Sequence, residues 1–219
     1  MSFDHEAFWS ARYRNAGDDY LFGTAPNKFL ASHAERFGEG MSVLSVADGE
    51  GRNSVWLAEQ GCAVTATEIS RVALEKAAKL ARGRHVATTT ATAGPGVDFV
   101  QADILNWMWP TAAFDAVVGI FIQFVGPAER ERQLAGMKQA VKPGGLLFLQ
   151  GYTPKQLECR TGGPSAVENL YTEALLREMF SDWDIVLLHE HEDLIDEGRG
   201  HSGRSALIDL IARKPATGR

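Results

Sequence analysis

The sequence predicts an α/β fold in which a doubly wound, mainly parallel sheet of seven strands is covered by helices on both faces. Segments with strand and helix character alternate along most of the chain, which is typical of a parallel sheet. The strand segments are continuously apolar, as expected of strands that are buried on both faces. The last two strand segments have no helix between them, so we expect an antiparallel last strand.

Each predicted strand is a short apolar or β-branched run. The seven runs are 42–47, 63–69, 97–104, 114–122, 146–152, 183–194 and 205–213. Four helices are predicted between them, over 53–60, 71–83, 127–141 and 171–180. Their ends carry expected signals: Gly61 as a left-handed cap, Ser70 as an N-cap, Pro127 in a first turn, and Pro143, which cannot continue a helix.

Residues 4–37 are rich in helix-forming and aromatic residues, with helices predicted over 5–14 and 28–37 on either side of a polar break. Trp9 and Tyr13 are four residues apart and therefore share a helix face. We expect a single domain over residues 1–219, in which residues 1–40 form a helical N-terminal segment. Residues 83–96 are small, polar and without acids, which predicts a mobile loop.

Composition narrows the class of function. The 219 residues are 45% hydrophobic and 23% charged, with a net charge of -6. A negative surface repels the phosphates of nucleic acids, so we expect no nucleic-acid partner. A small anionic substrate in a local pocket stays compatible with this charge. Two cysteines make neither a disulfide framework nor a thiolate metal site. No apolar run is long enough to span a bilayer, and the first ten residues do not have the pattern of a signal peptide. We therefore expect a cytoplasmic protein without a membrane partner. The sequence leaves its oligomeric state open.

Residues suited to nucleoside binding follow three of the predicted strands. Gly49 and Gly51 allow a tight turn between the first strand and the next helix. Glu68 ends the second strand about 17 residues later, where an acid can accept hydrogen bonds from both ribose hydroxyls. Asp103 follows the third strand and can accept from an adenine amino group. Because parallel strands place their carboxyl ends at one edge, the three together predict a nucleoside pocket.

The chain resembles the class I S-adenosylmethionine-dependent methyltransferases over nearly its whole length. The matching segments are "VLSVADGEGRNS", "VTATEIS", "VQADIL", "FDAVVGIF", "KPGG" and the terminal strand pair. A closer resemblance to the tellurite-resistance and thiopurine-methyltransferase-like branch rests on "FWSARYR…YLFGTAPNKFL" and "GYTPKQLECRTGGP…LYT". The resemblance implies a Rossmann-like fold, S-adenosylmethionine as cofactor, and an N-terminal lid around Trp9, Tyr13 and Tyr20.

The resemblance also implies roles for individual residues. The loop of Ala47, Asp48, Gly49 and Gly51 is expected to cradle the methionine part of the cofactor, with Arg52 and Asn53 alongside. Glu68 is expected to hold the ribose and Ile69 to lie against the adenine. The remaining expected cofactor contacts are Ala102, Asp103 and Ile104 beside the adenine, and Ile120 and Phe121 below the sulfonium.

Two positions depart from the family pattern. Relatives usually have an acid where this chain has Ser45 and a glycine where it has Ala47. Serine brings no charge near the cationic cofactor, and alanine fits if its φ is negative. These departures keep open a non-catalytic, cofactor-binding relative. The spacing Gly49-x-Gly51-x-x-Ser54 keeps open an NAD(P)-dependent oxidoreductase, although it lacks the third glycine.

The expected reaction is methyl transfer to a small-molecule acceptor. A soft nucleophile, such as a thiol or a tellurite- or selenite-type oxyanion, needs no general base. The candidate acceptor-binding residues are Tyr20, Gln123, Tyr152, Tyr171, His201 and Arg204. The "HEHED" segment at 189–193 fits a charged surface strand better than a metal site, so no metal is expected. The "ERER" run at 129–132 predicts a solvated helix face.

Overall fold

The computed structural model describes residues 3–88 and 94–216. Residues 89–93, part of the predicted mobile loop, lie outside the described residues. The chain separates into two compact units: one contains residues up to Trp107 together with Glu197–Gly200, and the other contains Met108–Asp196 and the residues from His201 onward. The prediction of a single domain stays a prediction.

The first unit begins with helical elements and continues with three strands and two longer helices. The helical N-terminal elements are α1 (His5–Asn15), α2 (Lys28–Ala31) and a 3₁₀ turn (Ala34–Arg36). The following elements are β1 (Ser42–Val46), α3 (Arg52–Glu59), β2 (Ala63–Glu68), α4 (Arg71–Gly83) and β3 (Gly96–Gln101). Strand β2 pairs in parallel with β1 and with β3. The predicted cap is confirmed, because the Ser70 side chain accepts a hydrogen bond from Ala73 N.

The predicted helix over 28–37 is wrong in its middle. Lys28–Ala31 forms one turn, capped by the Asn27 side chain, and the chain then changes direction before the 3₁₀ turn. The reason is local: Ser32 Oγ and a His33 ring nitrogen both hydrogen-bond to the Phe29 carbonyl oxygen, so side chains compete with the helical pattern.

The second unit contains the other four strands and three helices. In chain order these are β4 (Phe114–Ile120), α5 (Pro127–Ala140), β5 (Val141–Tyr152), α6 (Gln156–Cys159), a 3₁₀ turn (Val167–Asn169), α7 (Glu173–Met179), β6 (Asp184–Asp196) and β7 (Ser202–Arg213). Strand β5 begins five residues before the predicted strand. The "KPGG" residues lie inside it, where the register against β4 shifts between Phe114 and Ala116.

The strands are ordered β3-β2-β1-β4-β5-β7-β6 in a seven-stranded sheet. Strand β7 pairs antiparallel with both β5 and β6, whereas the pairs β1–β2, β2–β3 and β4–β5 are parallel. The predicted Rossmann-like, mainly parallel sheet with an antiparallel last strand is therefore confirmed. Within residues 3–88 and 94–216, no helix has the length and apolar composition needed to cross a membrane.

Candidate functional site

The loop between β1 and α3 has an unusual backbone. Ala47, Gly49 and Gly51 have φ angles of 48°, 66° and 90°. Glycine adopts such angles freely, but a residue with a Cβ is strained there. The condition under which alanine fits without strain, a negative φ, is therefore not met at Ala47. Alanine occupies a left-handed position that the family usually gives to glycine.

The two glycines of this loop serve different contacts. A Cβ on Gly49 would lie 3.0 Å from the Tyr13 hydroxyl, so its absence lets α1 approach the loop. A Cβ on Gly51 would lie 2.7 Å from the Cβ of Ala77 in α4. The bare backbone of Gly51 therefore allows α3 and α4 to pack closely, rather than opening room for a ligand.

Asp48 is fixed inside the loop by two serines. Ser45 Oγ donates to Asp48 Oδ1 at 2.6 Å, and Ser54 donates to the same carboxylate through its backbone N and its Oγ. Burial raises the pKa of Asp48, while the hydrogen bonds from both serines lower it. The loop thus has a buried carboxylate three residues after the position where relatives have their acid.

Glu68 lies next to this loop and its carboxylate is almost completely buried, at 3% exposure. Its Oε2 accepts from Gly49 N and its Oε1 from Ser70 N, both at 2.9 Å. A carboxylate oxygen has two lone pairs, so each oxygen keeps one acceptor site for a ligand hydroxyl. Glu68 therefore lies against the glycine loop, and its expected contact with the ribose stays a prediction.

Burial is the main reason that the pKa of Glu68 rises from 4.5 to about 7; hydrogen bonds from Ser70 N and Gly49 N lower it, and the charge of Asp48 raises it. Because the folded pKa lies above the unfolded value, the folded protein binds the extra proton between pH 4.5 and 7. Glu68 therefore contributes more stability at low pH and loses that contribution as the pH rises through 7.

Helix α1 packs over the Glu68 region. Ser10 Oγ and Ser70 Oγ are 2.7 Å apart in a buried hydrogen bond, and Ser70 also donates to Glu68. Tyr13 is 4% exposed, and burial followed by the charge of Glu68 raises the pKa of its hydroxyl well above its ordinary value. No described residue forms a hydrogen bond with that hydroxyl, which lies over Gly49.

Aromatic rings stabilise this position of α1. The Trp9 and Tyr13 rings stack with centroids 6.0 Å apart, and the Phe22 ring lies 6.4 and 6.2 Å from them. Arg12 places its guanidinium carbon 4.9 Å from the Trp9 ring. The predicted shared face of Trp9 and Tyr13 is confirmed, and it belongs to a segment that covers the glycine loop.

A buried ion pair supports the other side of the loop. Arg52 Nη2 lies 2.8 Å from Glu197 Oε2, and both side chains are buried. Glu197 Oε1 accepts from Asn27 Nδ2 at 3.0 Å, and Asn53 Oδ1 accepts from Asn27 N at 2.9 Å. Arg52 and Asn53 thus anchor the N-terminal segment, and their expected contact with the cofactor stays a prediction.

The residues expected around the adenine follow β2 and β3. Asp103 is half-buried, and its carboxylate accepts from Leu105 N at 3.1 Å and from Asn106 Nδ2 at 2.6 Å. Asp103 therefore caps the turn that follows the end of β3 at Gln101. The remaining lone pairs of its carboxylate can still accept hydrogen bonds from a ligand. Ile69 is half-buried, whereas Ala102 and Ile104 are buried.

Tyr20 packs against Val55, Leu80 and Ala81. Its hydroxyl donates to the Lys76 carbonyl oxygen at 3.1 Å. Lys76 in turn joins the buried Glu50 of the loop at 2.5 Å. These contacts give Tyr20 a structural role in the N-terminal segment, and its expected contact with the acceptor stays a prediction.

In the second unit, three predicted residues form an aromatic group that we call the acceptor cluster: Phe121, Tyr152 and His201. The Phe121 ring stacks on Tyr152 with centroids 4.7 Å apart and meets the edge of His201 at 4.3 Å. Phe121 directly follows β4 and has a φ of 56°, a strained conformation for a bulky residue. Ile120, before it, is half-buried.

The other predicted acceptor residues of this unit are engaged elsewhere. Gln123 Nε2 donates to the carbonyl oxygens of Tyr152 and Asn169, and its Oε1 accepts from Tyr152 N. Tyr171 is 1% exposed, and burial raises the pKa of its hydroxyl far above its ordinary value. Arg204 is exposed and its Nε lies 2.7 Å from Glu192 Oε2.

Two surface predictions can be compared with the structure. His191 Nε2 lies 2.9 Å from Asp209 Oδ2, and no group of three or more potential ligands among the described residues is placed to hold a metal ion. The prediction that "ERER" is a solvated face is wrong at Arg130, which is only 8% exposed. Helical periodicity places Arg130 on the same face as the buried Gln133 and Leu134.

Sequence reasoning missed Glu197, Asn27 and Arg130. Glu197 lies in a glycine-containing turn far along the chain from its partners, and Arg130 is hidden in a charged run. Asn27 did carry a signal, because asparagine before an apolar run is typical of a helix N-cap; the structure confirms that role.

Comparison with known proteins agrees with this geometry. Residues 43–145 match the family model described as a methyltransferase domain. Carboxy-S-adenosyl-L-methionine synthase of Yersinia enterocolitica is 27% identical over 129 residues, which make up 59% of this chain and 44% of the relative. The chain thus matches less than half the length of this curated relative.

Solved structures share the fold. The structure reported for conversion of a disulfide bond into a thioacetal group during echinomycin biosynthesis has a TM-score of 0.73 and 19% identity, and the match covers 98% of this chain and 94% of that one. TehB from Haemophilus influenzae has a TM-score of 0.68 and 18% identity, covering 95% and 66%. At such identities the likeness shows the fold alone.

These findings decide between the predicted cofactors. The family match covers the glycine loop, Glu68 and Asp103, and it favours S-adenosylmethionine over a nicotinamide dinucleotide. The more specific resemblance to the tellurite-resistance and thiopurine-methyltransferase-like branch stays a prediction. Residues 43–145 therefore match a methyltransferase domain, and this match supports S-adenosylmethionine as the cofactor.

Proposed function

We propose that this protein transfers the methyl group of S-adenosylmethionine to a small molecule with a soft nucleophilic atom, such as a thiol or a selenite- or tellurite-type oxyanion. The observation that carries the proposal is the acceptor cluster at the end of β4, together with the buried carboxylates around the glycine loop. The net charge of -6 supports a small-molecule acceptor over a nucleic acid.

Glu68, Gly49 and Tyr13 fit the ribose part of the cofactor. Glu68 is buried and held by two backbone donors, and each carboxylate oxygen keeps a free acceptor site for a hydroxyl. The Tyr13 hydroxyl over Gly49 adds a donor that no described residue uses. In this role Glu68 binds the ribose hydroxyls and Tyr13 covers the loop, which excludes water.

The loop also suits a cationic ligand despite its missing acid. When bound, S-adenosylmethionine supplies an activated methyl group on a positively charged sulfur. Asp48, held by Ser45 and Ser54, and the nearby Glu68 bring two buried carboxylates to this loop. Ser45 therefore positions a neighbouring acid rather than replacing one, which supports cofactor binding over a decayed loop.

The acceptor cluster supplies an aromatic surface for a small organic acceptor. The strained φ of Phe121 directs its ring between Tyr152 and His201, and strain of this kind collects at functional sites. Aromatic side chains together with a few polar groups are typical of pockets that orient small ligands. We assign orientation of the acceptor to these three side chains.

Two of the candidate acceptor residues, Gln123 and Tyr171, are poor bases, which supports a soft nucleophile. The amide of Gln123 is not basic and is fully engaged. The buried Tyr171 has a raised pKa, which disfavours its phenolate near neutral pH. A thiolate or an oxyanion with a nucleophilic lone pair needs no proton removed by the protein, whereas an alcohol or ammonium group does.

Formation of S-adenosylhomocysteine with matched acceptors tests the proposal. We expect turnover with thiophenol or selenite to exceed turnover with phenol or aniline. The variant His201→Asn should raise KM for the accepted substrate, whereas the exposed His189→Asn should behave as the wild type.

Preferential methylation of phenol or aniline would contradict the choice of a soft acceptor. No S-adenosylhomocysteine with any acceptor, while S-adenosylhomocysteine itself binds, would indicate a non-catalytic relative.

A further inference from the structure

Arg130 is a buried cation in the first turns of α5. It is 8% exposed, whereas its neighbour Arg132 on the same helix is largely exposed, with 68% of its side chain accessible. A guanidinium cannot lose its proton at ordinary pH. Burying one requires an acceptor or an anion that replaces the water it loses.

The described residues do not supply that anion. No carboxylate among them lies within 4.0 Å of the Arg130 guanidinium, whose Nη1 donates a hydrogen bond to the Glu168 carbonyl oxygen. Its Nε is buried and has no hydrogen-bond partner among them. One carbonyl oxygen thus serves a group with five N–H donors.

The surroundings increase the unpaired positive charge. Arg130 is the fourth residue of α5, and the start of a 14-residue helix carries the positive end of its dipole. Glu129, the acid of this first turn, pairs with Arg132 instead: its Oε1 lies 3.9 Å from Arg132 Nη2. On the same helix face, Gln133 Oε1 is also buried without a partner among the described residues. A ligand with both an anionic oxygen and a hydroxyl would satisfy both groups.

Backbone contacts connect Arg130 to the acceptor cluster. Arg130 Nη1 donates a hydrogen bond to the Glu168 carbonyl oxygen, and Gln123 Nε2 donates to the next carbonyl oxygen, that of Asn169. Tyr171 N donates to the Tyr152 carbonyl oxygen. The charge of Arg130 also acts on the Tyr171 hydroxyl. The backbone of residues 168–171 therefore links Arg130 to Tyr152, whose ring stacks on Phe121.

We propose that Arg130 binds an anionic oxygen group of the methyl acceptor, so that the enzyme selects oxyanion-bearing acceptors over neutral molecules of the same shape. The proposal rests on the proposed function and adds a substrate class to it. A carboxylate fits the planar guanidinium through two parallel hydrogen bonds. An inorganic oxyanion offers the same acceptor atoms, and separate ligands distinguish the two sources.

Calorimetry on the complex with S-adenosylhomocysteine tests this without turnover. Benzoate and benzamide have nearly the same shape and differ in charge, and selenite serves as the inorganic anion. We expect the wild type to bind benzoate or selenite at least about tenfold more tightly than benzamide, and Arg130→Gln to lose this preference. Arg130→Lys should keep part of it, and the exposed Arg132→Gln should keep all of it.

Equal binding of benzoate, selenite and benzamide by the wild type would overturn the proposal, and so would an unchanged preference in Arg130→Gln. If Arg130→Gln does not fold, Arg130→Lys decides instead. Its preference for benzoate or selenite over benzamide must be weaker than that of the wild type but still present. Failure of the wild type to bind S-adenosylhomocysteine would instead count against the proposed function, because Arg130 lies outside the residues assigned to the cofactor.

Discussion

At the scale of single residues, the glycine loop shows how far the sequence can be read. Glu68 is where its spacing predicted, because a parallel strand pair fixes the distance between the two strand ends. The role of Ser45 was not predictable, since its bond to Asp48 depends on the path of the turn. Arg130 was misread because a run of charges hides the one member that a helix turns inward.

Ala47 gives a direct test of the loop backbone. Its φ of 48° is a left-handed angle, which costs a residue with a Cβ about 1 kcal/mol relative to glycine. We expect Ala47→Gly to raise the free energy of unfolding by about 1 kcal/mol in urea denaturation.

Ala58→Gly is the matched control, because Ala58 lies in α3 and glycine there should lower the free energy of unfolding by about 1 kcal/mol. A destabilised Ala47→Gly would show that the loop does not have this conformation.

At the scale of elements, the sequence predicted the helices and strands well and their contacts poorly. Helix α4 has its predicted ends, because Ser70 caps it and the apolar positions repeat with helical spacing. The predicted helix over 28–37 failed where Ser32 and His33 bond to the backbone. The hydrogen bond between Ser10 of α1 and Ser70, the N-cap of α4, was not predictable, because the two residues are 60 positions apart in the sequence.

The close packing of α3 against α4 depends on Gly51. A Cβ there would lie 2.7 Å from the Ala77 Cβ, at a φ of 90°, so Gly51→Ala combines a steric clash with backbone strain. We expect it to lower the free energy of unfolding by about 2–4 kcal/mol.

The matched control is Gly126→Ala, since a Cβ at Gly126 has nothing within 4 Å and its φ is -71°. It should change the free energy of unfolding by less than about 0.5 kcal/mol. Equal effects of the two substitutions in thermal denaturation would show that α3 and α4 do not pack at Gly51.

At the scale of the whole molecule, the antiparallel pairing of β7 was predictable, because no helix separates the last two strands. The order of the strands in the sheet is known only from the structure. The division into two compact units was not predictable. The sequence also gave no sign that Glu197–Gly200, from the turn between β6 and β7, belongs to the unit of the glycine loop. Glu197 reaches Arg52 and Asn27 there through contacts that only the folded chain brings together.

The central claim is that the glycine loop and Glu68 hold S-adenosylmethionine, and calorimetric titration with S-adenosylhomocysteine tests it most directly. We expect the wild type to bind and Glu68→Ala to bind more weakly by about 1–3 kcal/mol, since two charge-assisted hydrogen bonds to the ribose are lost. Glu75→Ala, which removes a largely exposed acid of α4, should bind as the wild type does. Unchanged affinity in Glu68→Ala, or a wild type that binds NADH but not S-adenosylhomocysteine, would contradict the account.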